Sequence, residues 1–163
     1  DLDAWLNGPI EIRHTTSFLN DGANIHIDEA AGSVVRLSNV STGCGGGDVL
    51  RISGHSSGSP TKVTISDSDI EGNTEAGLRL YADVDITVIA TGLWWGAVSG
   101  PSYSANPGGT GDSVVVEDPT TTGLTFSPVS STRHNGDMAC ADWLISVFDF
   151  EPGDTSQWTY AVP

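Results

Sequence analysis

"VLRISGHSSGSPTKVTISDSDIEGN" (Val49–Asn73) holds two short runs of alternating apolar and polar residues, parted by a Gly/Ser/Pro-rich insert and closed by a polar corner. A two-residue period marks a strand with one buried face. The same plan lies on either side. "NIHIDE…VVRLSNVSTG" (Asn24–Gly43) precedes it, and "GLRLYADVDITVIATGLWWG" (Gly77–Gly96) follows it. Each unit has two short strands, a polar corner, then Gly or Gly-Asn. The unit recurs every ~20–30 residues, a solenoid period. "IEIRHT" (Ile10–Thr15) stands in front; "SVVVED" (Ser113–Asp118) and "GLTFSPV" (Gly123–Val129) follow behind.

One such unit cannot bury its own apolar face, so the pattern predicts stacked parallel rungs. Stacking puts Ile25/Ile27, Leu50/Ile52 and Leu78/Leu80 in one set of columns. Val35/Leu37, Val63/Ile65 and Val88/Ala90 form a second set. Asn39, Ser66, Asp67, Ser68 and Asn73 fall at the bends, where Asn side chains can bond backbone groups and tolerate left-handed φ. The expected fold class is all-β, a single-stranded parallel solenoid of a few rungs with capping ends. Residues 1–130 would form the solenoid with its N-terminal cap, in which Trp5 faces the core. Residues 131–163 would form a capping or assembly segment on the same domain. Within it, "DMACADWLISVFDFEP" (Asp137–Pro152) reads equally well as helix or strand.

The 163 residues carry 21 Asp+Glu against 6 Lys+Arg, a formal net charge of −15. Such a surface repels a phosphate backbone, which argues against nucleic acid as a partner. No apolar run approaches the ~18 residues of a membrane span, so no membrane insertion is expected. The chain starts at Asp1 without a recognisable leader, as a mature, trimmed or excised chain would. Two distant cysteines, Cys44 and Cys140, in a Lys-poor, Gly-rich chain suggest one disulfide in an oxidising compartment, or else two buried thiols. Asn39-Val40-Ser41 is an N-glycosylation sequon. Together these features favour an extracellular or cell-surface location.

The passage from Ala90 to Val129 is more specific. Trp94-Trp95-Gly96, Ser99-Gly100-Pro101, Asn106 to Asp112 and Ser127-Pro128 resemble a segment of secreted and cell-surface right-handed parallel β-helix proteins. Those belong to the pectate-lyase-like superfamily. Leu93 stands where that segment usually has Asn. The resemblance covers Ile10 to about Val129 and implies a right-handed β-helix. It implies little about activity, because this scaffold hosts lyases, hydrolases, adhesins and surface-layer parts.

Candidate sites are few. Trp94, Trp95 and Tyr103 could stack on sugar rings; alternatively, one Trp plugs the end of the core and the other is covered by the Gly/Pro-rich loop after it. Asp67, Asp69 and Glu71 alternate in "DSDIEG", so all three could face outward and hold Ca²⁺, the one cofactor the sequence suggests. Arg36, Arg51 and Arg79 recur between apolar residues and could form an outward ladder facing these acids. No base is placed as a lyase requires, the paired Asp motifs of a glycoside hydrolase are missing, and no nucleophile elbow occurs. The sequence therefore reads as a non-catalytic structural or surface protein of an envelope, matrix, filament or adhesin, able to associate end to end. The alternatives are a polysaccharide-binding module and, more remotely, a polysaccharide lyase.

Overall fold

Alternating runs too short for helices become strands. The computed structural model describes residues 9–18, 21–27, 34–53, 61–81, 86–117 and 122–135. In chain order the strands are β1 (Ile10–Phe18), β2 (Ile25–Ile27), β3 (Val34–Gly43), β4 (Leu50–Ser53), β5 (Thr61–Ser66) and β6 (Asp69–Glu71). They continue as β7 (Leu78–Tyr81), β8 (Ile86–Ala90), β9 (Pro101–Ser102), β10 (Gly111–Val116) and β11 (Thr122–Thr125). There is no helix among the described residues.

Every paired strand is parallel to its neighbour. One sheet has the order β1-β3-β5-β8-β11, with β6 alongside the far half of β3; the other has the order β2-β4-β7-β10-β9. The chain passes from the second sheet to the first four times, at β2→β3, β4→β5, β7→β8 and β10→β11. Sheet neighbours therefore come from successive sequence units, which is how a parallel sheet forms when each strand is too short to fold alone.

The register places the predicted columns together. Leu50 lies between Ile25 and Leu78, and Ile52 between Ile27 and Leu80. Val63 lies between Val35 and Val88, and Ile65 between Leu37 and Ala90. All of these are buried in one core that also holds Ile10, Ile12, Ile70, Leu93, Trp95 and Val114. Burying each Ile or Leu contributes about 1.5–3 kcal/mol, so the columns are the main source of stability.

The bends have a common chemistry. His14, Asn39 and Asp67 have φ of 50°, 55° and 48°, and Gly92 has φ of 70°. The strand registers put these four at the same level of successive units. His, Asn and Asp are the non-glycine residues that adopt this left-handed region most readily. Beside them Ser68 Oγ accepts from Val40 N at 3.0 Å and donates to the Ser66 carbonyl at 2.6 Å. Asp67 thus splits the run "KVTISDSDI" into β5 and β6, where the alternation alone reads as one strand.

Arg36 departs from expectation. It pairs with Glu11 and Thr64 in the first sheet, whereas Arg51 and Arg79 are neighbours in the second. The three do not form one ladder, because Arg36 belongs to the second strand of its unit and the others to the first. The expected N-terminal cap with Trp5, the insert at 54–60 and the helix-or-strand segment 137–152 with Cys140 lie outside the described residues.

Candidate functional site

Asp69 is bridged in parallel to Trp94, so the chain after Gly92 runs beside β6, which itself pairs with the far half of β3. Alternation then decides each side chain's fate. Leu93 and Trp95 point inward and are both 0 % exposed, while Trp94 points outward and is half-buried. Trp95 is part of the core, as one of the two sequence readings required. The cover over Trp94 is a surprise. It includes Arg133, whose guanidinium lies 5.8 Å from the Trp94 ring centroid and which follows well after the Gly/Pro-rich loop in the chain.

That loop has a different task. Asn106 Nδ2 donates to the carbonyls of Ser99 and Pro101, both at 2.9 Å, and pins the turn. Gly111 N donates to the Gly100 carbonyl at 2.9 Å, and Asp112 N to the Trp95 carbonyl at 2.7 Å. The loop thus returns directly into β10. Tyr103 packs edge-on against Phe126, with ring centroids 6.0 Å apart at 89°. Trp94, Trp95 and Tyr103 therefore do not form one exposed stacking platform, since Trp95 is wholly enclosed.

The three carboxylates of "DSDIEG" also separate. Asp67 is exposed at the left-handed corner, whereas Asp69 and Glu71 are buried at 5 % and 6 % exposure. Both buried acids face the segment 133–135. Asp69 accepts from the backbone N–H of His134 at 2.8 Å and of Asn135 at 2.9 Å, and from Ser41 Oγ at 3.3 Å. Glu71 accepts from Arg133 Nε at 2.8 and 3.0 Å and from Trp94 Nε1 at 2.7 Å. His134 Nε2 reaches the Gly92 carbonyl at 2.6 Å, so that nitrogen is the donor. The expectation of a shared outward cation site is corrected here: the corner at Asp67 breaks the alternation, and 133–135 occupies the other two acids. Among the described residues no group of three His, Cys, Asp or Glu is placed to hold a metal ion.

Removing the Asp69 carboxylate leaves two backbone N–H groups without their acceptor. Asp69→Ala is expected to destabilise the fold by about 1–3 kcal/mol, measured by urea denaturation. Equal stability of Asp69→Ala and the parent chain would show that the clamp contributes nothing.

A cleft of about 350 Å³ opens beside this clamp, lined by Glu71, Asp112 and Arg133 together with Gly72, Gly96 and Gly111. Asp112 accepts from the backbone N–H of Gly72 at 2.9 Å and of Asn73 at 3.2 Å, and from the Asn73 side chain. Burial above all raises its pKa above the ordinary 3.8, while the Asn73 and Gly72 bonds oppose the rise. With the folded value above the unfolded one, the Asp112 contribution is fully present below the unfolded pKa. It is lost as pH rises through the raised folded value. Stability of Asp112→Asn should therefore lack this fall in the interval just above pH 3.8. Parallel curves for the two proteins across that interval would refute the assignment.

On the second sheet, Arg79 Nε lies 2.8 Å from both carboxylate oxygens of Asp48, and its Nη1 lies 2.8 Å from Glu117. The Asp48 bonds above all raise the guanidinium beyond its ordinary value. Asn39, the sequon residue, sits half-buried at the left-handed corner, and Ser41 of the sequon is buried. Cys44 is not a free thiol; Cys140 lies outside the described residues.

Arg133 was not legible as a site residue. Its acceptor Glu71 is 62 residues away, and the only local signal is a basic pair, Arg133-His134, in an acidic chain. The chain matches no protein-family model, no curated protein and no solved structure.

Proposed function

We propose that this chain is a non-catalytic structural protein of the cell surface or extracellular matrix, built as a right-handed parallel β-helix. The observation that supports this reading is the employment of its chemically able side chains. Asp69 and Glu71 clamp residues 133–135, Trp95 fills the core, and Asp112 ties the loop to the Gly72–Asn73 corner. Groups committed to such contacts are not available for proton transfer to a substrate. The alternating passage between two parallel sheets, with matching columns and left-handed corners, supports the β-helix.

Within this reading Cys44 is joined to Cys140, tying the C-terminal segment to the stack. Non-reducing mass spectrometry of a proteolytic digest is expected to recover that linked peptide pair. Two alkylatable thiols in native protein would overturn it.

The functional reading is tested with polyuronates and neutral glycans under a lyase assay, with negative-stain microscopy of the same sample. Filaments or sheets without turnover support a structural part that associates end to end. Unsaturated products would replace the structural reading with a lyase. Monomeric particles that bind a glycan without turnover would replace it with a polysaccharide-binding module.

A further inference from the structure

His26, Arg51 and Arg79 occupy one column on the adjacent strands β2, β4 and β7. The flanking Leu50, Ile52, Leu78 and Leu80 are buried, so this column faces outward. Arg51 and Arg79 are direct cross-strand partners, a placement that like charges disfavour. Arg79 is neutralised by Asp48 and Glu117, both at 2.8 Å, with Glu75 at 3.7 Å. Arg51 differs. Its guanidinium carbon lies 4.3 Å from the Tyr81 ring centroid. Its Nε is buried without a hydrogen-bond partner. No ion pair joins Arg51 to a described residue, in a chain where acids outnumber Lys and Arg 21 to 6.

Stacking on a ring holds the guanidinium but uses none of its N–H donors; with Nε buried, the donors left to a ligand are those of the two Nη groups. A planar fork held in place matches the paired oxygens of a carboxylate or sulfate. The net charge of −15 repels densely charged polymers, while opposing a single charge far less. The geometry points to Arg51, oriented by Tyr81, as a docking site for one oxyanion, a carboxylate or sulfate monoester, on an otherwise neutral ligand. Ser53, which pairs with Tyr81 and lies 3.4 Å from His26 Nε2, borders the site with a hydroxyl suited to a sugar ring.

The test follows arginine Nε–H signals by NMR during titration with sodium sulfate and with methyl glucuronoside at constant ionic strength. One Arg signal should shift saturably with both probes and not with neutral methyl glucoside. Arg51→Gln should abolish the saturation, and Lys62→Gln, which removes the same charge from an exposed position on β5, should keep it. Arg51→Lys retains charge without the fork and should weaken binding about tenfold or more. If Arg51→Gln does not fold, the lysine variant and the three probes decide. No saturable shift with either anion, or the same affinity in Arg51→Lys as in the parent, overturns the proposal. An equal response to methyl glucoside overturns the need for an oxyanion. Tighter binding of polygalacturonate than of methyl glucuronoside, per uronate, overturns the preference for a single charge.

Discussion

Trp95→Ala is expected to cost about 3–5 kcal/mol, the range for removing a fully enclosed Trp from a core. Trp95 is 0 % exposed and joins the same core as Ile70, Leu93 and Val114. Two comparisons make the expectation specific. Trp95→Phe should cost much less, because the Trp95 Nε1 is buried without a partner and its loss breaks no hydrogen bond. Trp94→Ala should cost less, about 1.5–3 kcal/mol: that ring is half-buried, and its main losses are the bond to the Glu71 carboxylate and the contact with Arg133. Guanidinium denaturation of the three variants provides the measurement. A Trp94→Ala effect as large as that of Trp95→Ala would refute the inward placement of Trp95.

Gly109→Ala and Gly111→Ala are each expected to destabilise by about 3 kcal/mol or more, above the usual overpacking penalty because the obstacle is backbone. A Cβ on Gly109 would lie 1.9 Å from the Pro101 carbonyl oxygen, and one on Gly111 would lie 2.2 Å from that of Trp95. Neither oxygen can swing aside as a side chain would. The Gly111 side also meets the Gly100 carbonyl at 2.8 Å, the acceptor of its own N–H. Gly108 is the internal control. A Cβ there meets nothing within 4 Å, so Gly108→Ala should be neutral or slightly stabilising through the unfolded chain. Thermal melts of the three variants check this. Similar melting temperatures for Gly108→Ala and Gly109→Ala would mean that the loop does not return over Pro101 as described.

The glycines show how far a sequence reading reaches. "NPGGTGD" is visibly a turn, but nothing local separates Gly108 from Gly109. The difference arises because only Gly109 passes against Pro101, which the chain reaches by folding back. The acids teach the same lesson. Asp67, Asp69 and Glu71 alternate in sequence, which suggests one face. The positive φ at Asp67 turns the chain between them, and Arg133 to Asn135 then cover the two that follow.

The sequence by itself determined most of the strands, the pairing of apolar columns and some of the residues at left-handed bends. Side-chain alternation and backbone preference act over a few residues, so both are written locally. Only the tertiary structure decided which sheet Arg36 joins, that Trp95 is enclosed while Trp94 is covered by Arg133, and that Asp69 and Glu71 are buried. The burial of the two acids depends on partners 62 to 66 residues away, Arg133 for Glu71 and Asn135 for Asp69, and even the pairing of Arg36 with Glu11 and Thr64 joins separate units. A one-residue change of register would reverse them, and the corners that set the register act through the stacking of whole units.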